Sequence, residues 1–423
     1  MGNSYAPLIS LSQNQIPSIS TMRHLTADLI YPIATPPLPK GIITIDDEGT
    51  ILAVSPAGTY ASEDLAYYRG ILCPGFVNAH CHLELSHLQD QIPPYTGLAN
   101  FLRPISALRM QFSTATIDQA MVAAEAQMLR NGIVAVGDIS NDATSFEQKR
   151  QGNLRYHTFI EIVVPFGDTL EERISQKMQL GIDLLAQAPR NNGNTTSLAP
   201  HAPYTMPPAI LQAIDEINAP NAWVSSIHHQ ECNAENEMFQ TATGDFVDLY
   251  HSLGIRIEQF FSPISANSSQ YILRQWQNPA QLPRLLLVHN TISTDADIRA
   301  LQQTQRPITW VFCPNANRYI ENRLPHFDTF RRLGVHIAIG TDSLTSNWQL
   351  CILSELKTIA DYAPHIPIAE LLQWATLNGA QALGYERDLG SFEVGKKPGI
   401  VHIGGINPDS PQITAHSTVR RIV

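Results

Sequence analysis

Two histidines separated by one residue stand at the end of an apolar run early in the chain. His80 and His82 lie in the segment PGFVNAHCHLELSHL, which runs from Pro74 to Leu88. In a β-strand, residues i and i+2 point to the same face, so both imidazoles can reach one ion. The spacing alone predicts a metal site, although a pair of hydrogen-bonded core histidines would give the same pattern. The rest of the chain decides between the two.

Eight apolar runs of strand length follow Pro74, and five of them end in histidine or in an aspartate preceded by Gly-Thr. Apolar strands gain nothing from desolvated imidazoles, so core packing explains this pattern poorly. The residues concerned are His80 and His82 in the first run, His201 in the fourth, His228, His229 and Glu231 in the fifth, His289 in the sixth and Asp342 in the eighth. Together they predict a site built from several strand ends.

The elements that must position these side chains are parallel strands alternating with helices. Between the strand-like runs lie stretches with helical spacing, such as Ile117 to Leu129 and Ile210 to Ile217. This alternation indicates β/α units, and eight of them close a (β/α)8 barrel of the TIM type. In such a barrel the carboxyl ends of the strands carry the working residues. The predicted fold class is therefore α/β.

Both chain ends return to strand-like patterns outside the barrel. Residues 27–54 alternate short apolar runs with turn residues, and the tail segments GSFEVGKKPGIVHIG and ITAHSTVRRIV alternate again. We expect the two ends to pair into one small composite β-sandwich. The predicted organisation is a loose tail at 1–20, a sandwich made of 21–73 plus 388–423, and a metal-dependent barrel at 74–387.

Composition excludes several classes of partner. The 423 residues carry a formal net charge of −11 and a pI near 5.7. This argues against a nucleic acid or an anionic membrane, since either would need clustered Lys and Arg, and favours a small soluble molecule. Five scattered cysteines without a C-x-x-C pair predict neither disulfides nor a zinc ribbon and favour a reducing cytoplasm. No segment has the pattern of a signal peptide or of a membrane span.

In this order, the polar segments resemble those of the amidohydrolase superfamily, particularly its mononuclear aminohydrolase branch of deaminases and related chlorohydrolases. The resemblance covers nearly the whole chain. Its carriers are PGFVNAHCHLE from Pro74, PHAPYT from Pro200, IHHQE from Ile227, VHN from Val288, CPNAN from Cys313, GTDSLTSN from Gly340 and the tail GSFEVGKKPG. The tail departs from the family in reading KKPGIVHI where relatives more often place an Ala-Asp pair after the lysine.

The resemblance implies one divalent metal ion with four protein ligands, namely His80, His82, His228 and Asp342. His229 is the alternative to His228, but the His-x-x-Glu spacing favours His228. Zinc is the leading candidate, and iron(II) also suits these ligand types. Binuclear branches usually supply a lysine from the fourth strand, which TSLAPH lacks. Glu161 in the third run could bridge a second ion, although a structural glutamate is the commoner case.

The resemblance also implies catalytic roles. Glu231 would be the proton-transfer carboxylate, His289 would orient the attacking water, and His201 would contact the substrate. A bound ion lowers the pKa of its water to roughly 7 and makes hydroxide available at neutral pH. Asp342 takes the proton from that water, Glu231 protonates the ring nitrogen beside the attacked carbon, and Asp342 returns its proton to the departing ammonia.

The implied reaction is hydrolytic deamination of an aminated heteroaromatic ring. The segments PHAPYT, HHQE and GTDSLTSN are most similar to those of adenosine-type and aminodeoxyfutalosine deaminases, which favours a 6-aminopurine nucleoside. Two alternatives stay open. One is a chlorohydrolase or cyclic amide hydrolase on the same scaffold, and the other is a non-catalytic barrel that binds partners. The complete ligand set, with Glu231 and His289, favours deamination.

Further substrate contacts are expected from two loops. Trp348 lies just beyond Asp342, at the barrel end where a pocket wall would stand. Arg103, Arg109 and Phe101 follow the first strand in a segment that commonly shapes the pocket in this family, although exposed helix residues would give the same pattern. By analogy with relatives, we expect a homo-oligomer.

Overall fold

The computed structural model describes residues 22–264, 266–276, 278 and 281–423, and its architecture confirms the predicted α/β class. The predicted loose tail at 1–20 lies outside the described residues. The strands are β1 (Arg23–Ile30), β2 (Leu38–Pro39), β3 (Ile42–Ile45), β4 (Ile51–Ser55), β5 (Leu65–Pro74), β6 (Phe76–Cys81), β7 (Ile133–Ser140), β8 (Arg155–Ile162), β9 (Thr195–Pro200), β10 (Ser225–His229), β11 (Leu285–His289), β12 (Ile308–Phe312), β13 (His336–Ile339), β14 (Ile400–Gly404) and β15 (Thr418–Arg421).

Helices separate most of these strands from β6 to β13. They are α1 (Leu98–Leu102), α2 (Ile105–Arg109), α3 (Thr114–Arg130), α4 (Phe146–Arg150), α5 (Leu170–Gln187), α6 (Pro208–Asn218), α7 (Asn233–Thr241), α8 (Asp245–Ser252), α9 (Ser268–Gln275), α10 (Asp295–Gln303), α11 (Pro314–Glu321), α12 (Phe327–Arg332), α13 (Ile352–Tyr362), α14 (Ile368–Ala375) and α15 (Leu377–Leu383). Among the described residues, no helix is both long enough and apolar enough to cross a bilayer.

Eight strands form two parallel four-stranded sheets, ordered β6-β7-β8-β9 and β10-β11-β12-β13. They coincide with the eight apolar runs of the sequence, and nearly all of their residues are buried. Strands buried on both faces are typical of parallel sheets covered by helices. No continuous ladder of eight strands is detected in the part of the chain that the structure describes.

Backbone hydrogen bonds nevertheless connect the two sheets at both edges. The His228 N–H donates to the carbonyl of His201, just past β9, at 2.9 Å. At the other edge, the N–H of Thr341, just past β13, donates to the carbonyl of His80 in β6 at 3.0 Å. The carboxyl ends of strands from both sheets therefore meet around one region.

Both chain ends contribute to a third sheet of seven strands, ordered β15-β14-β5-β1-β3-β4, with β2 beside β1. Strand β14 runs antiparallel to β5 and places Ile403 opposite Ile71. The two ends thus pair as expected. They do so within one mixed sheet of the described residues, and the predicted sandwich is not confirmed.

The end sheet passes directly into the first parallel sheet at Gly75. Strand β5 ends at Pro74, and β6 begins at Phe76. A Cβ atom at Gly75 would lie 2.3 Å from Val134 Cγ1 and 2.6 Å from the Pro398 carbonyl oxygen. Only glycine permits this close approach, which seats the first ligand-bearing strand against the tail of the chain.

Helix α3 illustrates how local sequence produces these elements. The Ser113 side chain accepts a hydrogen bond from the Thr116 N–H and so caps the first turn. Met121, Ala124 and Met128 recur at helical spacing and are buried on one face. The helix predicted from this periodicity is confirmed, with its start three residues earlier because of the cap.

Candidate active site

The two histidines of the first strand end lie close together. His80 is fully buried in β6, and His82 follows that strand directly. Their ring centroids are 5.0 Å apart. Asp342 approaches from beyond β13, and its Oδ1 lies 3.6 Å from His80 Nε2 and 3.4 Å from His82 Nε2. The first and the last of the eight parallel strands, β6 and β13, thus end next to each other.

His228 completes a group of four side chains that could bind one metal ion. Its Nδ1 donates to the His201 carbonyl at 2.9 Å, so the lone pair of the neutral ring is on Nε2. That Nε2 lies 3.3 Å from His82 Nε2. A backbone partner of this kind fixes both the tautomer and the orientation of a metal-binding histidine. The four residues whose ligating atoms all lie within 4.8 Å of one another are His80, His82, His228 and Asp342.

This group fits a divalent metal ion. Both ring nitrogens of His80 and the Nδ1 of His82 are buried, and no described residue forms a hydrogen bond with them. Burial lowers the pKa of His82 to about 3 and the pKa of His228 well below its usual range, so both rings are neutral at pH 7. Three imidazoles and a carboxylate suit zinc and other first-row divalent ions.

Asp342 is held in a constrained conformation. Its φ of 58° lies in the left-handed region, which non-glycine residues seldom adopt. Its N–H donates to the His80 carbonyl at 3.1 Å, and the Ser346 hydroxyl donates to its Oδ2 at 2.6 Å. Burial acts to raise the pKa of this carboxyl, but the nearby side chains of His80, His82 and His289 hold the pKa well below its usual range. The group is a carboxylate, able to bind a cation or to accept a proton.

Glu231 and His289 stand beside the ligand group. Glu231 Oε2 lies 3.7 Å from His289 Nε2, and both side chains are buried. Burial raises the pKa of Glu231 well above its usual range and lowers the pKa of His289 to about 4. The Glu235 carboxylate accepts hydrogen bonds from the N–H groups of Gln230 and Glu231 at 3.0 and 3.2 Å. The turn that carries Glu231 is therefore fixed by a buried acid on α7.

The ligand group lies in the wall of a cavity of about 480 Å³, which is in the usual range for small-molecule sites. Leu180 and Leu253, 47% and 63% exposed, mark the open end. Polar lining residues include His82, Arg109, Asn141, Glu161, His201, His228, Glu231, His289 and Asp342. Apolar lining residues include Phe101, Leu102, Ile105, Leu180, Leu184, Phe246, Leu249 and Leu253. The cavity thus has a polar, buried end and a largely apolar remainder.

The expected substrate contacts divide into two groups. His201 lines the cavity, whereas Arg103 and Trp348 are not among the lining residues. Trp348 is 44% exposed and its ring packs against Tyr319, outside the cavity. Arg103 is exposed at the end of α1, while Phe101, two residues earlier, is buried and lines the cavity. Adjacent helical positions point in different directions, which sequence position alone did not resolve.

The structure bears on two alternatives that the sequence left open, His229 as a metal ligand and Glu161 as a bridge to a second ion. His229 points away from the ligand group, with its ring nitrogens 2.9 Å from Asn290 Oδ1 and 2.7 Å from Ser269 Oγ. Ligating atoms of Glu161, His201 and His228 also lie within 4.8 Å of one another. However, His228 Nδ1 already donates to a carbonyl, so this residue has one nitrogen left for an ion.

A chain of polar contacts that sequence reasoning missed runs behind His228. Glu161 Oε1 lies 3.7 Å from His228 Nδ1, and Asn141 Nδ2 donates to Glu161 Oε2 at 2.6 Å. Arg109 donates to Asn141 Oδ1 at 3.3 Å and pairs with Glu84 at 3.0 Å. Burial raises the pKa of Glu161 to about 7. Asn141 directly follows β7, and this position at a strand end was the available signal.

Comparison with known proteins shows to which family the chain belongs. The profile of the amidohydrolase family matches residues 71–419. The chain belongs to the amidohydrolase family. A 5-methylthioadenosine/S-adenosylhomocysteine deaminase from Moorella thermoacetica is 27% identical over 392 residues, which cover 88% of this chain and 83% of the relative. Family membership and relatives named as deaminases identify the protein as a hydrolase acting on carbon–nitrogen bonds.

Solved structures of other proteins share the fold. Helicobacter pylori aminofutalosine deaminase superposes with a TM-score of 0.74 at 20% identity, covering 92% of this chain and 93% of that one. A variant of atrazine chlorohydrolase from Arthrobacter aurescens, complexed with zinc and atraton, superposes with a TM-score of 0.67 at 17% identity, covering 92% and 90%. Similarity at these identities shows that the TIM-barrel-like α/β architecture is shared.

Proposed function

We propose that this amidohydrolase is a metal-dependent deaminase of a 6-aminopurine nucleoside, such as an adenosine derivative or aminodeoxyfutalosine. The observation that carries the proposal is the group of four ligating side chains beside Glu231 and His289, in a cavity of nucleoside size. The relative named as a methylthioadenosine deaminase and the fold neighbour named as an aminofutalosine deaminase support the same chemistry.

The protein's own groups would handle the protons. Asp342, a carboxylate, accepts a proton from the attacking water and later delivers it to the departing amine. Glu231, kept protonated by burial, donates to the ring nitrogen next to the attacked carbon, so that negative charge does not build up there. His289, whose Nδ1 is bonded to Asn317 Oδ1 at 2.8 Å, presents Nε2 to the site and orients the water. As the carbon–nitrogen bond breaks, the hydroxyl proton of the adduct passes to Glu231, so water is consumed, ammonia is released, a ring carbonyl remains and both carboxyl groups return to their starting states.

We propose one zinc ion as the cofactor, with His80, His82, His228 and Asp342 as its ligands. When bound, the ion supplies Lewis acidity that lowers the pKa of water at the site to about 7. One ion is favoured over two because His228 has a single free nitrogen, which faces the other three ligands. The zinc in the solved chlorohydrolase supports this choice.

The shape of the cavity bears on the substrate. His201 lies at the polar end, and its Nδ1 is bonded to Thr205 Oγ1 at 2.7 Å, so Nε2 can contact the base or the sugar. The walls farther from the ligand group are largely apolar on α5 and α8, although Lys177 of α5 also lines the cavity. They favour a nucleoside whose 5′ substituent is an apolar group, such as a thioether or an aryl ketone, over unsubstituted adenosine.

The deciding experiment is ammonia release by the purified protein loaded with one equivalent of zinc. The panel comprises adenosine, methylthioadenosine, S-adenosylhomocysteine, aminodeoxyfutalosine, guanine and cytosine. We expect release from a 6-aminopurine nucleoside and a fall in kcat of about 10²–10⁴-fold in Glu231→Gln, because general acid catalysis is removed. Glu216→Gln, an exchange in α6, is the matched control and should keep full activity.

Other outcomes of this panel have definite meanings. If a protein that holds one zinc ion releases no ammonia from any compound of the panel, deamination is contradicted. The remaining hydrolase alternative is then a substrate that loses chloride or contains a cyclic amide. If the protein releases no ammonia and also binds no metal, the non-catalytic scaffold is favoured.

The organisation of the chain is proposed on the same basis. We infer a composite domain from 21–73 plus 388–423 beside a barrel domain at 74–387, with the active site at the carboxyl ends of the barrel strands. We further propose a cytoplasmic enzyme that acts on a small molecule, without nucleic-acid or membrane partners, and that assembles as a homo-oligomer. Size-exclusion chromatography with light scattering tests the last point.

A further inference from the structure

Two sequence segments, CPNAN from Cys313 and the end of GTDSLTSN, supply no group that contacts the substrate in the chemistry proposed above. In the structure both contact the same buried acid, Glu355, which lies in α13. Its side chain is fully buried and accepts one hydrogen bond on each carboxylate oxygen. One donor belongs to the first turn of α11, and the other belongs to the loop after β13.

The first contact leads to His289. Glu355 Oε2 accepts from the backbone N–H of Asn315 at 2.8 Å, in the first turn of α11. The Asn315 side chain is held as well, since Thr358 Oγ1 donates to its Oδ1 at 2.6 Å. One half-turn farther along α11, Asn317 Oδ1 lies 2.8 Å from His289 Nδ1. The position of α11 therefore sets the orientation of the His289 ring.

The second contact leads to Asp342. Glu355 Oε1 accepts from Asn347 Nδ2 at 2.8 Å. The same amide nitrogen donates to the Thr341 carbonyl at 2.7 Å, and Thr341 directly precedes Asp342. Because Asp342 has a left-handed backbone, the peptide before it must be restrained from the outside. Asn347, 1% exposed, supplies that restraint only while its own amide is held.

We infer that Glu355 is a positioning residue that couples helix α11, which orients His289, to the loop that carries Asp342, so that one acid on α13 sets the geometry of both the ligand group and the water-orienting histidine. The role in the reaction rests on the proposed function, whereas the role in metal binding rests on the contacts alone. Buried groups behind metal ligands typically change metal affinity by about 10–100-fold when they are replaced.

The test compares Glu355→Gln with Glu125→Gln. Glutamine keeps the size of the side chain but replaces one acceptor oxygen with an NH2 group that faces an N–H donor. Glu125 is a matched control because it is equally buried, accepts from Tyr156 Oη at 2.8 Å, and touches no active-site loop. Both variants should lose stability in urea unfolding, which gives a common reference.

Zinc affinity, measured by competition with a chromogenic chelator, separates the two. Glu355→Gln should bind zinc about 10–100-fold more weakly than the wild type, and Glu125→Gln should bind it equally well. In the zinc-saturated proteins, kcat for ammonia release should fall in Glu355→Gln with little change in KM. Unchanged zinc affinity and unchanged kcat in a folded Glu355→Gln would overturn the inference.

A second variant covers the case in which Glu355→Gln does not fold. Asn347→Ala leaves the Asn315 contact intact and removes the restraint on Thr341, so it should weaken zinc binding while the rest of the chain folds. Normal zinc affinity in folded Asn347→Ala would also overturn the inference. If the wild type binds zinc but releases no ammonia from any nucleoside, the proposed function fails, and the zinc measurement still decides the role of Glu355.

Discussion

His157 lies in β8 of the first parallel sheet, away from the ligand group. It is 3% exposed, its Nδ1 lies 2.7 Å from Thr195 Oγ1, and its Nε2 lies 2.9 Å from Ser197 Oγ. Burial lowers its pKa to about 3. The ring is therefore neutral in the folded protein at pH values at which an unfolded chain, with a pKa near 6.5, would protonate it.

This difference predicts sensitivity to acid. Because the pKa is depressed on folding, the contribution of His157 to stability is complete above pH 6.5 and is lost as the pH falls toward 3. Between pH 7 and pH 5 the loss is about 2 kcal/mol. Urea unfolding at the two pH values should show a smaller loss in His157→Gln, which does not titrate. Equal losses in the variant and the wild type would contradict the burial effect.

At the residue scale, the candidate metal ligands could be predicted from the sequence, whereas the residues that support them could not. The i, i+2 spacing places His80 and His82 together, and strand-end positions place His228, His289 and Asp342 in the same region. Glu355 and Asn317 lie in helices whose rotation about their axes is set by packing. No local pattern specifies that rotation, so their contacts emerge only in three dimensions.

At the scale of elements, a buried ion pair supports the first ligand-bearing turn. Lys149 in α4 and Asp138 in β7 are both fully buried, and Lys149 Nζ lies 2.7 Å from Asp138 Oδ2. The other carboxylate oxygen, Oδ1, accepts from the N–H of Leu83 at 2.8 Å, directly after His82. The pair thus links α4, β7 and the turn after β6.

Breaking one side of this pair should be costly. Lys149→Met leaves the Asp138 carboxylate buried without its cation, which should lower the free energy of unfolding by about 3–5 kcal/mol. The double variant Asp138→Asn, Lys149→Met removes both charges and keeps an acceptor oxygen for Leu83, so it should recover much of that loss. Urea unfolding of the three proteins measures the coupling, and a double variant no more stable than Lys149→Met would contradict it.

The order of strands and helices was predictable because periodicities of 2 and 3.6 residues are local properties. The arrangement of the sheets was less predictable from the sequence. Hydrogen bonding between β9 and β10, or between β13 and β6, depends on twist and on side chains from distant segments. The same holds for the chain ends, where β1 pairs in parallel with β5 and joins a single sheet. A sequence pattern of short strands does not specify such partners.

At the scale of the molecule, the four candidate metal ligands come from both parallel sheets. His80 and His82 belong to the end of β6, whereas His228 is in β10 and Asp342 follows β13. An ion bound to all four would connect the two sheets in the folded protein and would have no such site in the unfolded chain. Metal binding should therefore stabilise the whole fold.

Removal and return of zinc tests this connection. Zinc added to the chelated protein at 1,000 times Kd should stabilise it by about 4 kcal/mol, seen as a rise in Tm. His289→Ala should keep the rise, because His289 is not among the four proposed ligands, and His228→Ala should lose it. The reverse pattern would overturn the ligand assignment.

The pairing of the two chain ends also has a consequence for synthesis on the ribosome. Strand β5 leads directly into β6, yet its partner β14 lies near the end of the chain, with Ile71 opposite Ile403. Because the ribosome adds about 5–20 residues per second, β14 is synthesised roughly 20–60 s after β5. Throughout this time one edge of β5 in the nascent chain, close in sequence to His80 and His82, lacks its strand partner. The yield of folded protein should therefore depend more on the binding of chaperones to the nascent chain than on the stability of the folded enzyme.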